Sequence, residues 1–378
     1  MLFTLEALNA RHGDSLILHF GDAGTPRTIL IDGGPATVYN QTLRKRLGEL
    51  CASRAGDEEP LEIEILMVSH IDDDHVNGVI ALMEDLADKV EDNSPLPYRI
   101  GTLWHNSFDD IVGPARSASF RQVTEEVNRR PVATGPESGA VAASIDQGRV
   151  LRQLAKKLSV PLNQRFDGLV CSADGPGPVV DLDGVKLTIL APSTGRLQDL
   201  EKKWDEFLKA RAAKEAEKAA EAAAYLDRSV FNLSSIVAVA EAGGRTILLT
   251  GDARGDDILK GLKAEGLLKR NRVHFDVLKL PHHGSIRNVE ADFFERVTAD
   301  HYVVSADGRH GNPEVKTLQL ISDARGSDDF TIHLTNRESR LVKFFKDEKA
   351  KGKKYGVEFR KPSALSMKLD LGTDPLSD

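Results

Sequence analysis

The chain has 378 residues, 40% of them apolar and 29% charged, which suits one large or two modest globular domains with a substantial core. Its formal charge of -8 argues against loose coating of nucleic acid, though not against an enzyme that handles a phosphodiester. Two distant cysteines, Cys51 and Cys171, exclude a disulfide framework or a cysteine-rich zinc module and fit a reducing cytoplasm.

No window approaches the roughly 18 consecutive apolar residues of a membrane span, so no membrane association is expected. Met1–Glu6 lacks a basic stretch and a long apolar core, and reads as a first strand rather than a signal peptide. Strands are expected over Leu2–Asn9, Ser15–Phe20 and Arg27–Ile31, the last ending in the turn Asp32-Gly33-Gly34. Thr42–Ser53 reads as a helix, Leu61–Val68 as a buried strand, and Val76–Leu86 as an amphipathic helix with Val76, Val79, Ile80, Met83 and Leu86 on one face. Further on, Val150–Leu158 reads as a helix and Val185–Leu190 as a strand. Ser235–Ala240 and Arg245–Leu249 form an expected hairpin across Ala242-Gly243-Gly244. Val273–Leu280, His301–Ser305, Ile332–Leu334, Leu341–Phe345 and Gly356–Phe359 complete the expected strands. Strands and helices alternate in both halves, so the expected class is α/β, two sheets sandwiched between helices.

Leu197–Leu226 stands apart as a long Ala/Lys/Glu-rich helix. Its apolar stripe, Leu197, Leu200, Trp204 and Leu208, fades into alanine and charge after Lys209. That pattern is a solvated surface helix whose first half docks, or else a helix that binds a protein partner or a second copy of the chain.

The chemistry concentrates at strand ends. Ser69-His70-Ile71-Asp72-Asp73-Asp74-His75 follows a buried strand and opens a helix, the kind of loop that holds a metal ion. Asp32-Gly33-Gly34, Thr250-Gly251-Asp252 and Pro281-His282-His283-Gly284 also end apolar runs. Any one of the last three alone is an ordinary turn or a surface pair. Together they describe a metal site where the sheets open.

The order of these motifs resembles the metallo-β-lactamase fold, and in particular the soluble hydrolase domain of the ComEC DNA-uptake competence family. The matching residues are Gly13-Asp14-Ser15, Ile31-Asp32-Gly33-Gly34, Ser69 to His75, Asn232-Leu233-Ser234-Ser235, Leu249-Thr250-Gly251-Asp252 and Leu280-Pro281-His282-His283-Gly284-Ser285. The resemblance spans about residues 2 to 320 and implies a four-layer αββα sandwich. The membrane channel of that family has no counterpart, so a free-standing relative is expected. Residues 1–345 are expected to form the hydrolase domain, with 197–226 inserted, and 346–378 a basic C-terminal hairpin or tail.

The resemblance implies metal ligands at His70, Asp72, Asp74, His75, Asp252 and His283, with Asp252 bridging. His283 is preferred over His282 because the fold's ligand sits just before glycine. Asp72 stands where the wider fold has a second histidine, and Asn232 or Ser234 where it has another. This harder ligand set suits one or two divalent ions, manganese or zinc. Asp74 would orient the attacking water, and His282 and His310 would protonate the leaving group or bind substrate oxyanions. Asp14, Asp32 and Asn232 would orient the ligands from behind.

The implied reaction is phosphodiester hydrolysis, with nucleic acid as one candidate substrate. Ester or lactone hydrolysis on the same centre is an alternative, and so is a non-catalytic binding or regulatory role in a multi-protein bacterial system. A basic run, Lys343 to Lys361, is interleaved with Phe344, Phe345, Tyr355 and Phe359, and reads either as a strand-binding surface or as a solvated hairpin.

Overall fold

The computed structural model describes residues 1–53, 60–113, 135–212, 234–326 and 328–374. Two sheets face each other. The first is six-stranded, in the order β14-β1-β2-β3-β4-β5. Its strands are β1 (Leu2–Leu8), β2 (Leu16–Asp22), β3 (Thr25–Ile31), β4 (Leu61–Met67), β5 (Tyr98–Trp104) and β14 (Ser366–Asp370). The second is eight-stranded, in the order β13-β12-β11-β10-β9-β8-β7-β6. It comprises β6 (Val179–Asp181), β7 (Lys186–Ala191), β8 (Val237–Ala242), β9 (Arg245–Leu249), β10 (Val273–Lys279), β11 (Val297–Val304), β12 (Thr331–Leu334) and β13 (Gly356–Phe359).

Helices cover both outer faces. On the first sheet lie α1 (Arg44–Ser53), α2 (Asp73–Glu91) and α3 (Gly135–Lys157). On the second lie α5 (Gly255–Ala264), α6 (Ala291–Arg296), α7 (Val315–Arg325) and α8 (Ser339–Ala350), while α4 (Thr194–Ala212) follows β7. Three apolar layers result. Phe3, Leu5, Leu18 and Phe20 meet Ile189, Ile247, Leu249 and Val277 between the sheets. Leu30, Leu66 and Val68 pack against Val76, Val79 and Met83 outside the first, and Leu278, Tyr302 and Ile332 pack against Ile258, Leu318 and Leu341 outside the second. The molecule is therefore a four-layer αββα sandwich, the layering expected of the metallo-β-lactamase fold.

Local chemistry explains why these elements form. In β4, Ile65 and Met67 face the second sheet while Leu66 and Val68 face helices, so the strand end reads as an unbroken apolar run. Helix α2 carries Asp73 and Asp74 in its first turn and Lys89 in its last, matching the helix dipole. It can lie against the Asp32 turn because Gly78 meets Gly33: a Cβ on Gly78 would stand 1.9 Å from the Gly33 carbonyl oxygen. The turn itself is left-handed at Asp32, with φ of 58°.

The C-terminal segment differs from expectation. Leu341–Phe345 is part of helix α8, because Leu341, Phe344 and Phe345 fall at helical spacing on one buried face. The described part of 346–378 does not form the expected hairpin: β13 pairs with β12 in the second sheet, and β14 pairs with β1 in the first. Phe344 and Phe345 lie in the outer core, with the partly buried Tyr355 and Phe359 packed against them. Helix α4 starts at Thr194, and Leu197 is buried; the expected continuation over 213–226 lies outside the described residues. Among the described residues no helix is long and apolar enough to cross a membrane.

A buried polar knot ties the first sheet to α1. Glu6 on β1 is 2.9 Å from His19 Nε2 on β2, accepts from Arg46 Nε at 2.7 Å, and accepts from the Ser366 hydroxyl on β14. Burial alone would raise the Glu6 pKa, but His19, Arg46 and Ser366 hold it down at about 2, against an ordinary 4.5. A depressed acid pKa contributes stability that is present above the unfolded value and is lost as pH falls through the folded one. Wild type should therefore lose about 3 kcal/mol between roughly pH 4.5 and 2 through this group. Glu6→Gln should flatten that part of the profile and be less stable at neutral pH. Urea unfolding across this range checks it, and an unchanged slope in the variant would refute the assignment.

Candidate metal centre

Parallel strands place their C-terminal ends on one edge of each sheet, and here the two edges meet. The ends of β3 and β4 bring Asp32 and the Ser69–His75 loop, and those of β9, β10 and β11 bring Asp252, His282-His283 and Ser305. The turn between β1 and β2 adds His12 and Asp14.

Asp252 is at the middle. Its Oδ1 lies 3.4 Å from His75 Nε2, and its Oδ2 lies 3.5 Å from His283 Nε2, 3.6 Å from His282 Nε2 and 3.8 Å from His70 Nε2. Asp74 reaches His283 Nε2 at 3.3 Å, and Asp72 reaches His70 Nε2 at 3.6 Å. The Nε2 atoms of His75 and His283 are 3.2 Å apart. The structure thus brings His70, Asp72, Asp74, His75, Asp252, His282 and His283 together. Exposed Asp73 points elsewhere and accepts from Gln147.

Each imidazole is held from behind through Nδ1. His75 Nδ1–H donates to Asp32 Oδ2 at 2.9 Å, and His283 Nδ1–H to the Ser305 carbonyl at 3.0 Å. Ser69 gives its hydroxyl proton to Asp32 at 2.6 Å, so at its 3.1 Å contact with His70 Nδ1 the imidazole is the donor. His282 Nδ1 contacts Asn288 Oδ1 at 2.7 Å. All four Nε2 atoms are thereby turned toward the carboxylates, the arrangement that metal-binding histidines adopt.

Asp14 also falls in this cluster: one ligand atom each from Asp14, His75, Asp252 and His283 lies within 4.8 Å of the others. Its oxygens, however, meet the Lys279 ammonium and His283 Nδ1, the face of the ring opposite Nε2. Asp14 therefore sits behind the donors, with Asp74 in front. Lys279 is itself buried, donates to the Gly251 carbonyl at 3.1 Å and lies 3.9 Å from Asp252 Oδ1.

Charge sets the protonation. Burial would raise the pKa values of Asp252 and Asp74, but the adjacent imidazoles hold both carboxyls well below the usual range. Burial would likewise lower His75 and His283, yet Asp252 and its fellow carboxylates push both well up. Protons on these rings balance the carboxylates until a cation displaces them, so metal affinity should rise with pH. The donor set fits a divalent ion: nitrogens and carboxylate oxygens converge, and His70 Nε2 is buried with no hydrogen-bond partner among the described residues.

The β10 end is strained to achieve this. His282 and His283 are left-handed, with φ of 48° and 54°, which is uncommon for bulky residues and concentrates at functional sites. Beside Asp252, a cavity of about 190 Å³ is lined by Ser172, Ser193, Arg196, Ser235, Ala253 and Asp257. Exposed His310 is not in the ligand cluster; its ring meets His12 edge-on at 5.3 Å. His12, Lys279, Asn288 and Ser305 were not expected at the site. The one sequence signal was the position of His12 directly before Gly13-Asp14. Asn232 lies outside the described residues.

No protein-family model matches the chain, and no curated protein matches it in sequence. Among solved structures it is similar to Zn(2+)-bound PqqB from Methylobacterium extorquens, with 14% identity over 95% of this chain and 88% of that one, at a TM-score of 0.39. So distant a likeness carries no inference about the site, which rests on this chain's own residues.

Proposed function

We propose that the chain is a metal-dependent hydrolase acting on phosphodiesters. The observation that carries this reading is the convergence of four imidazole Nε2 atoms and the carboxylates of Asp72, Asp74 and Asp252 at the joined strand ends. Asp74, His75, Asp252 and His283 would hold one divalent ion, zinc or manganese, and His70, Asp72 and Asp252 would contribute to a second. A bound ion supplies Lewis acidity and a water of lowered pKa.

The residues then have distinct tasks. Asp74, in front of the cluster, accepts a proton from the attacking water and orients it. Asp32 and Ser305 fix the tautomers of His75 and His283. His310, whose ring meets His12, would protonate the leaving group or bind a substrate oxyanion. Burial of Phe344 and Phe345 takes two of the four rings out of reach of stacking bases, which favours a short diester over a long single strand. Carboxylic ester or lactone hydrolysis uses the same residues and is the second reading.

The test is metal analysis of wild type and Asp74→Ala/His75→Ala, with hydrolysis of bis(p-nitrophenyl) phosphate in added zinc or manganese. Bound metal and turnover in wild type, both lost in the variant, are expected. A metal-free, inactive wild type would overturn the reading and favour a non-catalytic binding role. Metal without diesterase turnover would shift the substrate to esters and lactones.

A further inference from the structure

The hydrogen bonds around Asn288 decide what His282 can do. Asn288 Nδ2 donates to the Asp252 main-chain carbonyl at 2.9 Å. A carbonyl can only accept, so the amide orientation is set and Oδ1 is the atom 2.7 Å from His282 Nδ1. An amide oxygen also only accepts, so Nδ1 carries the proton. In its neutral form the ring then turns its Nε2 lone pair toward Asp252 Oδ2, 3.6 Å away, the tautomer a metal ligand needs.

His70, His282 and His283 all turn Nε2 toward Asp252 Oδ2, while His75 faces Oδ1. Asp74 reaches His283 and Asp72 reaches His70, so among the described residues His70, Asp72 and Asp252 offer three donors to a second ion, with His282 on the same oxygen as His70. His70 Nε2 is buried there without a hydrogen-bond partner among the described residues. Donors about 2.1 Å from a shared tetrahedral ion stand about 3.4 Å apart. The separations of 3.6 Å from His282 to Asp252, 3.8 Å from His70 to Asp252 and 3.6 Å from His70 to Asp72 fall close to that.

We infer that His282 is a metal ligand, completing with His70, Asp72 and Asp252 a second ion site, and that Asn288 is the positioning residue that sets its tautomer. This rests on the metal-centre reading above. It also accounts for two adjacent left-handed histidines: with both residues in that conformation, both imidazoles reach Asp252 Oδ2.

The experiment is equilibrium dialysis of the metal-free protein against Zn(2+) and, separately, Mn(2+), with metal counted per chain and folding checked by circular dichroism. Wild type should take up two ions. His282→Asn, chosen because asparagine tolerates the left-handed backbone, should keep the first ion at wild-type affinity and bind the second at least about 100-fold more weakly. Asn288→Ala keeps the imidazole but releases its tautomer, and should weaken the second ion about 10- to 100-fold. It serves where His282→Asn fails to fold. Two ions at wild-type affinity in either folded variant would overturn the assignment. A wild type that binds one ion would overturn it while leaving the hydrolase reading intact. A wild type that binds none would remove both.

Discussion

Asp252→Ala is expected to lose hydrolysis of bis(p-nitrophenyl) phosphate by roughly 10³-fold or more and to lose its bound metal. The shared carboxylate faces all four imidazole nitrogens, at 3.4 to 3.8 Å, so among the described residues no other single side chain touches as much of the centre. Lewis-acid stabilisation is worth several kcal/mol, and each ~1.4 kcal/mol is tenfold in rate. The fold should survive. The main chain at Asp252 is held independently, its N–H by Ser235 Oγ at 3.2 Å and its carbonyl by Asn288, and truncation leaves both bonds in place. The metal-free variant should be less stable than metal-free wild type, because the carboxylate that offsets the raised imidazoles of His75 and His283 has gone. What it should lack is the rise in melting temperature that zinc gives wild type. Differential scanning calorimetry with and without zinc separates the two effects. Retained turnover in Asp252→Ala would place the chemistry elsewhere.

The second large effect is on stability. Lys279 and Asp14 are each about 1% exposed and form a direct ion pair behind His283. Burial alone would lower the lysine and raise the acid. Their mutual attraction reverses both, with the Lys279 pKa raised and that of Asp14 held down. Lys279→Met strands a buried carboxylate, and breaking such a pair costs about 3–5 kcal/mol. Lys279→Met/Asp14→Asn removes the charge as well as its partner and should recover most of the loss. Urea midpoints of the three proteins decide it. A single variant within about 1 kcal/mol of wild type would mean that Asp14 is neutralised without Lys279.

Part of this site was legible because it is local. His70 to His75 is one loop, and its apolar strand before and amphipathic helix after are periodic patterns that a single segment carries. Asp32, Asp252 and His283 were legible because each ends an apolar run that can only be a strand. The misreading of Leu341–Phe345 shows the limit of that logic. A short apolar run satisfies a strand and a helix equally, and burial of Phe344 and Phe345 under the second sheet settled it.

His12, Lys279, Asn288 and Ser305 were invisible for a different reason. Each has an ordinary local sequence and gains its place from a residue far along the chain: Lys279 from Asp14, Ser305 from His283, His12 from His310. Asn288 gains its place from the carbonyl of Asp252, which fixes its amide and through it the proton of His282. The amino-acid sequence by itself determined the α/β class, the strand ends and the chemical type of the donors, since periodicity and residue identity are properties of single segments. Which nitrogen of each ring faces the carboxylates, which buried charge offsets Asp14, and which oxygen of Asp252 His282 faces were decided only when the two sheets closed on each other. Tautomers and ion pairs are set by partners, and the partners here come from both sheets.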